Sequence, residues 1–284
     1  MTSELRMSVA EYGRGAMRTA ALLLCTMLAS LLHITPALAA SDEDRFNLSV
    51  GAFFVTHTDG TVRLDHSVGP ANIGTSIDWH RDLGGETNKT VPRIDGYYRF
   101  SAKHRVDFSW YSIDRSGLIT TQRDIDFGNI NFPAGTTIDS RLETKVFKVA
   151  YTYSFYRTAD IETALTFGLH ITNIKASLQS AGLGISEAES TTAPLPVFGY
   201  RIDYSLSPKW WVRSKYELFF LDRLKEVQGS LSDFTVAIEH RTFKHFGFGF
   251  GLDRTSANFD VSHNRKSLSL DSVLTGFMLY GVYR

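Results

Sequence analysis

Val91 to Arg115 reads VPRIDGYYRFSAKHRVDFSWYSIDR, two strands about one tight turn. On the way in, Ile94, Gly96, Tyr98 and Phe100 alternate with Arg93, Asp95, Tyr97 and Arg99. On the way out, Val106, Phe108 and Trp110 alternate with Arg105, Asp107, Ser109 and Tyr111. One face is apolar and aromatic; the other carries charges of both signs. A soluble sheet with one wet face alternates in the same way. The class is therefore decided by whether the chain repeats this pattern, and by what joins the repeats.

It repeats along the whole chain. Phe46 to Phe54, Ile138 to Phe155, Thr163 to Ile171, Phe198 to Leu206, Val212 to Phe220, Phe234 to Ile238, Phe246 to Leu252 and the closing SLSLDSVLTGFMLYGVYR all keep a two-residue period. With the opening hairpin this gives ten strands, each near the roughly nine to eleven residues that cross a bilayer at a tilt. No helical period competes. Short turns join the second strand to the third, the fourth to the fifth, the sixth to the seventh and the eighth to the ninth. Polar segments of about 57–90, 116–137, 175–191, 222–230 and up to 267 join the others. Short turns on one side and long loops on the other are the pattern of periplasmic turns and extracellular loops. Within 57–90, Thr61–His66 and Thr75–Trp79 are placed to pair as a hairpin above the membrane.

The amino terminus agrees with export. Arg18, the apolar run Ala20–Leu32 and Ala37-Leu38-Ala39 make a signal peptide with its cleavage site, giving residues 1–39 as signal and 40–284 as the barrel domain. Met17 is an alternative start, and an uncleaved anchor is the competing reading of the run. The single cysteine, Cys25, lies inside that signal, so the mature chain has no disulfide, thiol nucleophile or Cys-ligated metal. Lys plus Arg equal Asp plus Glu at 30 each, which excludes the basic excess of a nucleic-acid binder.

Aromatic residues near strand ends, Trp110, Tyr153, Tyr204, Trp210, Trp211 and Tyr283, match the girdles of a barrel in lipid better than the core of a soluble sandwich. From residue 45 to 284 the chain resembles small bacterial outer-membrane β-barrel proteins, the OmpA, OmpX and OmpW class, at the level of architecture. The resemblance implies an all-β fold, one antiparallel up-and-down transmembrane barrel of about ten strands, with eight or twelve as alternatives. It also implies residence in the outer membrane as a monomer, contact with outer-membrane lipids and lipopolysaccharide, and delivery by the barrel-insertion machinery. Such barrels usually end on an aromatic residue; this chain ends Tyr283-Arg284.

In a barrel the charged faces point inward. The lumen then holds Arg93, Asp95, Arg99, Arg105, Asp107, Lys148, Arg201, Asp203, Arg213, Lys215, Glu217 and Glu239. A three-residue turn Ala102–His104 would set Arg99 opposite Asp107. A three-residue turn Pro208–Trp210 would set Asp203 opposite Lys215 and Arg201 opposite Glu217, avoiding a like-charge pair. The charges either fill the lumen as an ion-pair network, the reading favoured for a small barrel, or form the constriction of a narrow channel for small polar solutes. Gly247, Gly249, Gly251 and Gly276 either leave space beside the last strands or make room for long side chains.

Catalytic motifs are weak. Ser262-His263, with Asp260 and Asp271 near, does not reproduce the His-x-Ser-Asn arrangement of the lipid A deacylase barrel, and adjacent strand residues face opposite ways. Asp78, His80, Asp82 and Asp124 are loop residues that would suit a peptide hydrolase at the rim. His57, Asp59, Asp65 and His66 lack metal-ligand spacing. The expectation is a structural or surface-interaction barrel and not an enzyme, with no cofactor or metal. A lipid or peptide hydrolase stands as the second alternative after the channel.

Overall fold

A computed structural model describes residues 45–68, 71–224, 227–263 and 266–284. The signal-peptide reading of residues 1–39 lies outside the described residues. Fourteen strands follow in chain order: β1 (Phe46–Val68), β2 (Ala71–Ile73), β3 (Ser76–Asp78), β4 (Lys89–Ser101), β5 (His104–Thr120), β6 (Ile125–Phe127), β7 (Ile130–Phe132), β8 (Thr137–Arg157), β9 (Ile161–Ser180), β10 (Ile185–Ser207), β11 (Trp210–Leu224), β12 (Val227–His240), β13 (Phe246–His263) and β14 (Lys266–Tyr283). Ten of them are long and pair antiparallel in the order β1, β4, β5, β8, β9, β10, β11, β12, β13, β14. β14 then returns to β1 in register from Leu48 opposite Tyr283 to His66 opposite Lys266, closing the barrel. Closure leaves no open edge among these strands, so every crossing can satisfy its backbone in lipid. No helix among the described residues is long and apolar enough to cross a membrane.

Alternation sorts the side chains. Val50, Tyr98, Phe100, Phe167, Phe198, Phe248 and Leu252 are exposed on the outer surface. On β5 this apolar belt stops at Trp110; the outward residues that follow are Ser112, Asp114 and Ser116. On β8 it stops at Phe147, beyond which Lys145, Glu143 and Arg141 face out. Arg141 pairs there with Asp114, and Lys145 with Glu143 at 2.7 Å. The strands thus rise past the belt as a hydrophilic collar.

The collar corrects the reading of the long polar segments. β9 and β10 stay paired as far as Ser180 opposite Ile185, leaving only residues 181–184 as a connection, with Gly184 at φ +66°. β11 and β12 likewise run well into the 222–230 segment. Outside the belt both solvent and lumen accept polar groups, so the apolar alternation fades while the strand continues.

The 57–90 segment splits. β1 continues into it as far as Val68, and Thr61–Arg63 pairs with Ser76–Asp78, part of the Thr61–His66 and Thr75–Trp79 pairing read from the sequence. His66–Val68 pairs instead with Ala71–Ile73. Segment 116–137 holds an unforeseen feature, the β6–β7 hairpin. Ile125, Phe127 and Phe132 of that hairpin are fully buried against Leu64, Ile77, Leu83, Ile138 and Leu178. The hairpin and the loop after β3 therefore form an apolar plug in the collar end of the barrel.

Candidate functional site

Below the plug the inner face is ionic. The twelve charges read from the sequence lie there, within reach of one another, and their partners differ from those expected. Arg99 stands opposite Arg105, not Asp107, and Arg201 opposite Lys215, not Glu217; Asp203 faces Arg213. The turns are two residues long, Ala102-Lys103 and Pro208-Lys209, and a bulge between Arg99 and Ser101, and again between Ser205 and Ser207, shifts the register. The like-charge neighbours are tolerated because each cation finds a carboxylate elsewhere.

Many find it two residues along the same strand. Arg93 meets Asp95 at 3.0 Å, Arg105 meets Asp107 at 3.2 Å, Arg201 meets Asp203 at 3.0 Å and Lys215 meets Glu217 at 2.9 Å. Residues two apart share a face, and these side chains are long enough to span the gap. Other pairs cross the lumen. Lys148 on β8 donates to Asp233 on β12 at 2.5 Å, and Arg93 on β4 to Asp253 on β13 at 3.0 Å. Arg99 reaches Glu162 at 2.7 Å and His170 meets Glu217 at 3.0 Å, while Arg213 approaches Glu239 on the neighbouring strand at 3.0 Å. Glu162, His170, Asp233 and Asp253 were missing from the residues chosen by sequence. Counting parity along β13 from Gly247 and Gly251 puts Asp253 on the inner face, so a signal existed.

Aromatic rings complete this layer. Arg93 lies over the rings of Phe53 and Tyr111, at 5.3 and 5.1 Å from their centroids. Tyr97 receives Arg105 at 4.5 Å, with Arg99 and Arg213 each at 5.9 Å. Such contacts attract the cation to the ring face. The Tyr280 hydroxyl donates to Glu239 at 3.0 Å, and its ring covers Gly249, where a Cβ would come within 2.2 Å of it. At Gly249, then, the missing side chain makes room for a long one.

The interior contains distinct cavities. One of about 120 Å³ lies among the charges and is lined by Arg93, Asp107, Lys148, Arg201, Lys215 and Glu239 among others. A second, of about 80 Å³, sits closer to the plug. Its walls include Ile113, Leu142, Val146, Leu195 and Leu274, and its floor Lys148, His170 and Asp233. A third, of about 20 Å³, lies under the loop that follows β3. Arg115 lines the second and the third. It stands beyond the outer apolar belt, and burial pulls its guanidinium down from the usual range to about 10, against the favourable charge of Glu86.

The remaining candidates resolve into structural bonds where they are described. Asp78 accepts from the backbones of His80 and Arg81 and from the Arg81 side chain; Asp82 accepts from the Asp78 backbone and from Arg123. His80 Nδ1 meets the Gly85 carbonyl at 2.8 Å, and Asp124 accepts from the Ala134 backbone. These acids are engaged in bonds that hold the loops together. His57 meets Asp59 at 2.8 Å and Asp65 accepts from Arg63. The side chains of His66, Ser262 and His263 lie outside the described residues; Asp260 accepts from Gln228 and Asp271 from Asn258. Among the described residues no group of three His, Cys, Asp or Glu could hold a metal ion.

No protein-family model and no curated protein sequence matches the chain. Solved structures do. The outer membrane protease OmpT from Escherichia coli superposes with a TM-score of 0.53 at 8% identity, covering 88% of this chain and 99% of that one. Ail, the attachment invasion locus protein of Yersinia pestis, gives a TM-score of 0.33 at 12% identity, over 82% of this chain and 99% of that one. The Ralstonia pickettii toluene transporter TbuX gives 0.33 at 13% identity, over 84% and 89%. At these identities the likeness to OmpT is one of fold.

Proposed function

We propose, for this ten-stranded barrel of the small outer-membrane class, that the lumen is a filled scaffold and that the collar is the working surface. On this reading the protein is exported through a cleaved signal peptide and seated by the barrel-insertion machinery as a monomer among outer-membrane lipids and lipopolysaccharide. The collar then faces the outside and presents its polar wall to whatever the cell meets.

The observation that carries the reading is the pair Lys148–Asp233, which runs from β8 to β12 across the barrel at 2.5 Å, with Arg93–Asp253 bridging β4 and β13 in the same layer. Small barrels are filled by side chains, and only larger ones leave a wide aqueous channel. The apolar plug above the ions supports the same view, because water and ions are poorly accommodated among Phe127, Phe132 and Leu83. The bonding of Asp78, Asp82 and Asp124 within their loops supports a non-enzymatic role.

Planar bilayers test this. The purified barrel should insert without discrete conductance steps in potassium chloride. Regular ion-selective steps from the folded protein would replace the scaffold with the narrow-channel reading.

A further inference from the structure

The second and third cavities share more than Arg115. Leu142 and Leu270 also line both, so a small apolar chamber abuts a smaller polar one beneath the loop that leads from β3 to β4. The chamber lies where three separate apolar clusters meet: Ile113, Val146 and Leu274 from one, Leu142 from a second, Leu195 from a third. The polar one is unusual in its donors. Thr58, Trp79 and Arg115 all line it, and the Thr58 Oγ1, Trp79 Nε1 and Arg115 Nε atoms are buried with no hydrogen-bond partner among the described residues. The three residues are 7%, 4% and 7% exposed. Arg115 enters none of the ion pairs found among the described residues. Glu86, the carboxylate that lines this cavity with it, is engaged by Lys89 at 2.6 Å.

Buried donors are nearly always satisfied. One guanidinium, one indole and one hydroxyl come from three separate elements, β5, the loop after β3, and β1, and all call for acceptors. A single water offers two acceptor positions and leaves a donor unmet. A carboxylate offers about four, and favours a guanidinium partner. The adjoining chamber, about 80 Å³, sets Ile113, Leu142, Val146, Leu195 and Leu274 above its charged floor. That is room on the scale of a small ring or short chain, about half the roughly 150 Å³ of a dry cavity that accepts benzene.

We infer that the two cavities form one site for a small amphipathic carboxylate, an aromatic or short-chain acid. Its carboxylate is held by Arg115, Trp79 and Thr58, and its apolar part lies against Ile113, Val146 and Leu274. This goes beyond the scaffold reading, which rests on the charged layer below. A barrel that conducts could still bind the acid, and a silent barrel could fail to.

Isothermal titration of the full barrel in lipid nanodiscs tests it, with benzoate, hexanoate, benzyl alcohol and sulfate as separate probes. Benzoate or hexanoate should bind saturably and more tightly than benzyl alcohol or sulfate. Arg115→Met should weaken acid binding about tenfold or more, the scale of a charge-assisted hydrogen bond, and leave benzyl alcohol unchanged. Trp79→Phe keeps the ring, removes the N–H, and should weaken it by a smaller factor; it serves as the decisive variant if Arg115→Met does not fold. Absence of saturable binding of both acids overturns the site. So does acid binding that neither variant alters, or sulfate binding as tight as benzoate, which would leave an anion pocket with no use for the apolar chamber.

Discussion

Asp233→Leu should lower the stability of the barrel by about 3–5 kcal/mol, the usual penalty for stranding a buried charge. Asp233 is fully buried and accepts from Lys148 at 2.5 Å and from the Thr255 hydroxyl at 2.9 Å. Without it, the Lys148 ammonium stays inside the lumen facing an apolar side chain. Replacing both members, Lys148→Met with Asp233→Leu, should recover most of the loss, because a buried pair gains little net energy over apolar residues of similar volume. Urea titration of the barrel in liposomes, followed by tryptophan emission, reads both. A single variant as stable as the wild type would mean that the lumen admits water at this point, and the filled scaffold would fall with it.

The second large effect belongs to the seam. Gly51 sits in the β1–β14 pairing opposite Tyr280. A Cβ there would lie 2.1 Å from the Leu279 carbonyl oxygen and 2.6 Å from Tyr280 Cα. Those are backbone atoms, so the strain can be relieved only by parting the strands that close the barrel. Gly51→Val should abolish the compact, fast-migrating form on an unheated detergent gel. Gly60→Ala serves as the comparison on the same strand: its nearest contact, the Asp271 carbonyl, is at 3.3 Å, and it should leave the compact form intact. Equal folding of both variants would show that β1 and β14 close in a different register.

The strands were legible because lipid on one side and charge on the other impose period two, and each crossing repeats it. The inner charges were legible for the same reason. Their partners were not. A one-residue bulge beside Arg99 or Ser205 inverts every cross-strand guess, and nothing in the sequence marks it. The extended strands above the belt escaped because residues such as Asn173, Lys175 and Ser177 face water and look like loop. The plug escaped too, although Ile125, Phe127, Ile130 and Phe132 do cluster within a polar segment. The site at Arg115 has no motif at all: Thr58, Trp79 and Arg115 are far apart along the chain, and only the closed barrel makes them neighbours.

Arg93 with Asp95, Arg105 with Asp107, Arg201 with Asp203 and Lys215 with Glu217 occupy β4, β5, β10 and β11. These strands form two short-turn hairpins. Arg99 and Arg213 meet Glu162 and Glu239 on strands outside their hairpin, but these four cations travel with their own anions. A hairpin entering the bilayer before the barrel closes therefore carries dipoles, which hydrocarbon resists far less than isolated charges. The lumen-crossing partners arrive only at the end. The two kinds of pair thus divide the labour, one guarding the journey and the other the destination. Asp95→Asn separates them, since Arg93 keeps Asp253 at 3.0 Å in the finished barrel. Its insertion into liposomes should slow several-fold while its equilibrium stability moves little, and an unchanged insertion rate would show that the strands do not cross with their charges bare.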